Sequence, residues 1–237
     1  MQLVRHISRA DLVERAAGRL VSHLEAITAE GRIPQLCISG GQLLSDVFMQ
    51  CLSITEAMGQ HNRHISLWWA EDYYLPTGDS RRLATSFLAQ IADKLLLDPA
   101  LIHPMPASEA SADASIAAEN YAKELESAQF DIVLLEPGPD GSLLGIPSEV
   151  KHRAQATAAA LPGENGEPDR IILTLEKLAT SAEVWMLALG EDHADTLAEA
   201  FLAEPASDAA TLRGTQKTVW LADMEAAKKL PYFRCSL

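Results

Sequence analysis

The sequence is poor in cysteine and in long apolar runs, and each shortage excludes a class of protein. Its 237 residues contain three cysteines, Cys37, Cys51 and Cys235, which are too few and too scattered for a disulfide scaffold. No Cys-x-x-Cys or Cys/His ligand spacing occurs, so we expect no metal. No apolar run approaches the roughly 18 residues of a membrane-spanning helix, and no signal-peptide core begins the chain. We therefore expect a cytoplasmic protein.

Positive charge is also scarce. Nineteen Lys and Arg residues stand against 33 Asp and Glu, which gives a formal net charge of −14 and a pI of about 4.8. Such an acidic surface repels nucleic-acid backbones and anionic lipid headgroups, so we expect no nucleic acid and no membrane as partners. A small anionic substrate would need a local positive pocket. The remaining composition, 48% hydrophobic and 22% charged, is that of a globular protein.

Short apolar runs alternate with amphipathic segments along the chain. Ser8 and Asp11 resemble a capping box at the start of the first helix. The candidate strands are residues 2–5, 34–38, 64–69, 131–135, 170–175, 183–189 and 217–221, and the other candidate helices are 42–58, 80–95, 115–128 and 192–203. This order predicts a single α/β domain over residues 1–237, a Rossmann-like, mostly parallel sheet with helices on both faces.

Three loops follow predicted strands, at the edge of a parallel sheet where ligands bind. Ser39-Gly40-Gly41 precedes a helix, a geometry that suits either a phosphate or a plain tight turn. Glu71 and Asp72 could orient a substrate hydroxyl or simply face solvent. In the third loop Gly138 and Gly141 flank Asp140, and Ser142 follows. A structural turn explains that loop equally well, and Ser142 lacks the Gly-x-Ser-x-Gly setting of a hydrolase nucleophile.

The order of these motifs resembles that of the 6-phosphogluconolactonases, which are grouped with glucosamine-6-phosphate isomerases. The motifs are Ser-Gly-Gly, Leu-Trp-Trp-Ala-Glu-Asp-Tyr-Tyr-Leu-Pro, Ile-His-Pro-Met-Pro, Phe-Asp-Ile-Val-Leu-Leu with Gly-Pro-Asp-Gly, Arg-Ile-Ile-Leu-Thr-Leu and Thr-Val-Trp-Leu-Ala-Asp, and they cover about residues 2–230. The resemblance implies one Rossmann-like domain without metal or cofactor, in a monomer or small homo-oligomer. It also implies hydrolysis of 6-phosphogluconolactone to 6-phosphogluconate in the pentose phosphate pathway, with a sugar phosphate or lactone as partner.

The site motifs depart from the family pattern. The family has Gly-x-Gly-x-Asp-Gly-His in the third loop, where the histidine is expected to activate water; here Ser142 stands in its place and Glu136 replaces the first glycine. The usual Asp-Glu-Arg is Glu71-Asp72-Tyr73, so the arginine is missing. The resemblance assigns Asp140 and Ser142 to catalysis, and it assigns substrate binding to Ser39, Gly40, Gly41, Glu71, Asp72, Gly138, Gly141 and Arg170.

Basic groups are missing elsewhere too. Residues 164–169 lack the lysine that family members carry there, which leaves Arg170 as the best phosphate partner. We therefore expect weak or altered lactonase activity. The alternative is a non-catalytic paralogue that binds a ligand or a protein, which exposed leucines at 43, 44, 143 and 144 would favour. A sugar-phosphate isomerase or deaminase is a third possibility, although no catalytic histidine stands in the third loop.

Overall fold

A computed structural model of the chain describes residues 1–57, 64–91, 97–146 and 157–231. Strands and helices alternate through these ranges. The strands are β1 (Gln2–His6), β2 (Gln35–Ile38), β3 (Ser66–Trp69), β4 (Glu71–Tyr73), β5 (Ile102–His103), β6 (Ile132–Leu135), β7 (Ala158–Leu161), β8 (Arg170–Leu173), β9 (Glu183–Ala188) and β10 (Lys217–Asp223). The helices are α1 (Arg9–Ala29), α2 (Gln42–Ala57), α3 (Leu83–Ile91), α4 (Ala114–Glu124), α5 (Leu175–Ala179), α6 (Ala194–Glu199) and α7 (Asp208–Thr211).

Seven strands form the main sheet in the order β1-β10-β9-β6-β2-β3-β5, and every neighbouring pair is parallel. The predicted α/β class with a mostly parallel sheet is therefore confirmed. Because the strands run the same way, the loops after β2, β3, β6 and β9 all leave from one edge of the sheet. The first and third sequence loops are among them.

The second sheet was not predicted. It has three short antiparallel strands in the order β4-β8-β7. The predicted strand 170–175 lies here, as β8, and not in the parallel sheet. The charged Glu71–Tyr73 and the alanine-rich Ala158–Leu161 have little strand propensity, and pairing with β8 is what makes them strands. Glu71 and Asp72 therefore lie on a strand and not in the loop that the sequence indicated.

Helix α1 shows how local signals and packing agree. The Ser8 hydroxyl accepts a hydrogen bond from the Asp11 N–H at 3.2 Å, and the Asp11 carboxylate accepts one from the Ile7 N–H at 3.0 Å. These contacts satisfy free N–H groups at the helix start, close to the predicted capping box. Leu12 and Leu20 are among the residues that the helix buries against the sheet and α2.

The other helices differ from prediction mainly at their ends. Helix α3 covers the central part of the predicted 80–95, of which residues 92–95 lie outside the described ranges. Helix α4 passes into a 3₁₀ turn at Leu125–Ser127, and α6 is shorter than the predicted 192–203. Within the described ranges no helix is both long and apolar enough to cross a membrane. Cys37 and Cys51 are buried free thiols, and Cys235 lies outside those ranges.

Candidate active site

The Ser39-Gly40-Gly41 loop leads from β2 directly into α2. Ser39 is only 3% exposed; its hydroxyl donates to the Gly40 carbonyl and accepts from the Glu136 N–H, both at 3.2 Å. Gly41 has φ +135°, a backbone conformation that favours glycine. The Ser39 hydroxyl is thus used within the protein, where it ties the first loop to the third.

Glu71 lies beside this loop, in an ion pair with Arg170. The Arg170 Nη1 is 2.9 Å from the Glu71 Oε2, and the Gly40 N–H also donates to the Glu71 carboxylate. Burial raises the pKa of Glu71 above its ordinary value, and the Arg170 charge opposes that rise. Arg170 also donates from Nη2 to the Gly145 carbonyl at 3.2 Å, so it joins β8 to the segment that follows the third loop.

Asp72, the neighbour of Glu71, has a different environment. It is 1% exposed and forms an ion pair with Arg82, which is 3% exposed, at 3.0 Å between Nη2 and Oδ2. The Asp72 Oδ1 accepts from the N–H groups of Tyr73 at 2.9 Å and Leu83 at 2.6 Å. The structure therefore gives Asp72 a role in holding the start of α3, away from any ligand-accessible surface.

The third loop is a compact turn after β6. The Ser142 hydroxyl donates to the Asp140 Oδ1 at 2.6 Å, and the Ser142 N–H donates to the same oxygen at 3.0 Å. The hydroxyl bond comes first among the contacts that lower the pKa of Asp140. Gly138 packs against these two residues: a methyl group added at Gly138 would lie 2.7 Å from the Asp140 Oδ1 and 2.7 Å from the Ser142 Oγ. Gly141 has φ +78°, which explains a glycine at that turn position.

Two side chains that the sequence analysis did not single out support this loop. The ring nitrogens of His193 lie 2.6 Å from the Leu189 carbonyl oxygen and 3.1 Å from that of Pro137. The Thr196 hydroxyl donates to the Pro139 carbonyl at 2.7 Å. Both residues follow β9, so their position after a buried parallel strand is the signal that could have found them.

An open cleft of about 650 Å³ lies next to Arg170, and its size is typical of small-molecule sites. Tyr73, Gly145 and the 162–168 loop line it, and that loop contributes the carboxylates of Glu164 and Glu167. Across residues 1–57, 64–91, 97–146 and 157–231 there is no group of three or more His, Cys, Asp or Glu side chains placed to hold a metal.

Comparison of the sequence with known protein families finds a match over most of the chain. The family model described as "Glucosamine-6-phosphate isomerases/6-phosphogluconolactonase" matches residues 7–220. The chain belongs to this family. Among its curated relatives is the 6-phosphogluconolactonase of Streptomyces coelicolor, 32% identical over 248 residues and covering 97% of this chain and 95% of the relative. That of Mycobacterium tuberculosis is 30% identical over 239 residues, covering 94% and 96%.

The solved structures agree on the fold of the glucosamine-6-phosphate isomerase/6-phosphogluconolactonase family. The 6-phosphogluconolactonase of Trypanosoma brucei superposes with a TM-score of 0.84 at 20% identity, covering 97% of this chain and 98% of that structure. The resemblance noted from the motif order is therefore confirmed as family membership.

Within the family fold, some assigned residues gather and others do not. Ser39, Gly40, Gly41, Glu71 and Arg170 form one connected group, and Gly138, Asp140, Gly141 and Ser142 form the turn joined to it through Glu136. Asp72 stays apart. The four leucines whose exposure would favour a binding module, Leu43, Leu44, Leu143 and Leu144, are all buried at 6% exposure or less.

Proposed function

We propose that this chain hydrolyses 6-phospho-D-glucono-1,5-lactone to 6-phosphogluconate in the pentose phosphate pathway, with weak turnover. The observation that carries the reaction class is the relationship to curated 6-phosphogluconolactonases over more than nine tenths of the chain. Arg170 and Glu136 join the first loop, Glu71 of β4 and the third loop, and this supports the proposal because it provides one site at the carboxyl edge of the sheet.

Lactone hydrolysis adds water to the carbonyl carbon and breaks the ring C–O bond. The hydroxyl goes to the acyl carbon and the proton goes to the ring oxygen. A general base that takes the proton from water typically contributes about 10²–10⁴-fold. The family resemblance assigns that task to the position of Ser142, whose hydroxyl is too weak a base near neutral pH. Asp140 is a poor substitute because its contacts with Ser142 lower its pKa.

Charge in the cleft also argues for weak binding of a phosphosugar. Arg170 supplies the guanidinium, but it already pairs with Glu71, and Glu164 and Glu167 line the same cleft. A ligand phosphate would have to compete with Glu71 for the Arg170 fork. Each charged hydrogen bond that is not made forgoes about 1.5–3 kcal/mol, or one to two decades of affinity.

The test is a lactonase assay on freshly generated lactone, with a spectroscopic readout fast enough to subtract spontaneous opening. We expect kcat about 10²–10⁴-fold below that of the Streptomyces coelicolor relative assayed in parallel. Arg170→Ala should raise KM roughly tenfold, whereas the control Arg15→Ala, on the exposed surface of α1, should not. Turnover equal to that of the relative would refute the weak-activity proposal.

The proposal also carries the coarser expectations of the sequence: one domain over residues 1–237, a cytoplasmic location, and a monomer or small homo-oligomer without nucleic acid. Cell fractionation tests the location, and light scattering tests the oligomeric state. Were there neither turnover nor thermal stabilisation by any phosphosugar, the non-catalytic alternative would replace the lactonase.

A further inference from the structure

The Glu136 carboxylate lies at the amino end of α2, the helix that follows β2, although Glu136 itself follows β6. Its Oε1 accepts a hydrogen bond from the Leu44 N–H at 2.6 Å. Leu44 is the third residue of α2, so this N–H is one of those without a partner inside the helix. The first turn of α2 has no acidic residue of its own. Glu136 therefore supplies the negative charge that a helix start attracts.

The carboxylate fits closely against the first loop. A methyl group added at Gly41 would overlap both Glu136 carboxylate oxygens. The Glu136 N–H is held by the Ser39 hydroxyl, so the residue is fixed at both backbone and side chain. The cavity beside the loop, bordered by Leu44, Leu83 and Phe87, has a volume of about 30 Å³, which is about the space of one water molecule. Glu136 does not line that cavity; its carboxylate lies directly in front of Gly41, at the start of α2.

Two charged side chains lie near Glu136, one on each of the neighbouring helices. Arg9 of α1 lowers its pKa and Asp46 of α2 raises it, and these two pair with each other at 2.6 Å. Their effects therefore largely offset one another. Burial is the largest influence and raises the pKa of Glu136 to about 7, although the Leu44 N–H favours the ionised form.

A helix start that follows a glycine loop is a general anion-binding arrangement. Here the anion is already part of the protein. We propose that Glu136 is a built-in competitor for ligand phosphate: its carboxylate occupies the anion position at the amino end of α2, and an external anion binds there only when Glu136 leaves or loses its charge. Glu136 thus sets the preference of the site between phosphorylated and unphosphorylated sugar acids. The identity of the sugar acid rests on the proposed function, whereas the competition does not.

Calorimetric titration with 6-phosphogluconate and with gluconate at pH 8 tests the preference. Glu136→Gly should tighten binding of 6-phosphogluconate about 10- to 100-fold, since it frees a charge-assisted hydrogen bond, and should leave gluconate unchanged. Glu119→Gln removes the same charge from the exposed face of α4 and is the matched control, with no expected change. Equal affinities for 6-phosphogluconate in wild type and Glu136→Gly would overturn the proposal.

Inorganic sulfate tests the competition without assuming the sugar, because sulfate keeps its charge from pH 6 to 8.5. In the wild type, sulfate affinity should rise by about tenfold as pH falls through the pKa of Glu136. In Glu136→Gln the change with pH should be much smaller, with Glu71, whose carboxylate accepts from the Gly40 N–H, as the remaining titrating group beside the loop. The glutamine oxygen can still accept from the Leu44 N–H, so this variant serves if Glu136→Gly fails to fold. Circular dichroism checks that both variants are folded.

The two proposals can fail separately. An absence of lactonase turnover together with pH-dependent sulfate binding would remove the proposed function and keep the competition. Weak lactonase turnover together with a flat sulfate profile in the wild type would do the reverse: it would keep the proposed function and remove the competition. A loss of turnover in Glu136→Gln without any gain in anion affinity would identify Glu136 as a general base and overturn its role as a competitor.

Discussion

Asp72 offers the sharpest test of whether a conspicuous acidic residue is structural or functional. The perturbation is Asp72→Ala, together with Arg82→Met and the double variant. Asp72 accepts hydrogen bonds from two backbone N–H groups and from the Arg82 guanidinium, and both side chains are at most 3% exposed. Removing one member of a buried ion pair leaves the other charge uncompensated and typically destabilises by about 3–5 kcal/mol.

Arg82 also donates to the Met105 carbonyl at 2.5 Å, and Arg82→Met loses this hydrogen bond as well as the ion pair. We expect Asp72→Ala and Arg82→Met each to lower the free energy of unfolding by about 3–5 kcal/mol. The double variant should lose less than the sum of the two, since no buried charge is left unpaired. The adjacent Asp79–Arg81 pair provides the control. Its arginine side chain is 60% exposed, so Asp79→Ala should lower the free energy by about 1 kcal/mol or less.

The assay is urea denaturation of all four variants, alongside lactonase activity measured well below the unfolding midpoint. A stability loss in Asp72→Ala no larger than that in Asp79→Ala would refute the structural interpretation. So would a stable Asp72→Ala protein that had lost its activity, because the carboxylate would then act on substrate.

Other consequences of the structure can be checked in the same preparations. Ser142→His should raise kcat/KM in the lactonase assay by less than about tenfold, because Glu136 still occupies the first loop. In the double variant Ser142→His/Glu136→Gly, kcat/KM should rise by more than the product of the two single effects. The folded-state pKa of Glu136, about 7, lies above its unfolded value, so the folded state binds the proton more tightly and stability should fall as pH rises from about 4.5 to about 7. Glu136→Gln should remove that slope in pH-dependent thermal unfolding. Gly41→Ala should lower the free energy of unfolding by about 1–2 kcal/mol in urea titrations, because its φ of +135° strains any other residue.

The sequence by itself predicted the mostly parallel main sheet and six of its seven strands, all except β5, but not their order. Apolar runs such as Ile132–Leu135 and Glu183–Ala188 are buried along their length, and amphipathic segments such as α1 present one apolar face. Both are local patterns, a continuous apolar run for the strands and a period of 3.6 residues for the helix, so they can be recognised without knowledge of the tertiary structure. The loops that carry the site could be placed for the same reason, since they follow strands whose direction is shared.

Only the tertiary structure decided what the polar residues do. Glu71 and Asp72 are neighbours in the chain, yet one pairs with Arg170 beside the first loop and the other is buried with Arg82. Glu136 reads in the sequence as one more negative charge, and its role depends on the Leu44 N–H, 92 residues away. Strands β4 and β7 exist because β8 pairs with both. The physical reason is the same in these cases. Burial and hydrogen bonding depend on residues distant in the chain, and a local sequence pattern does not identify those residues.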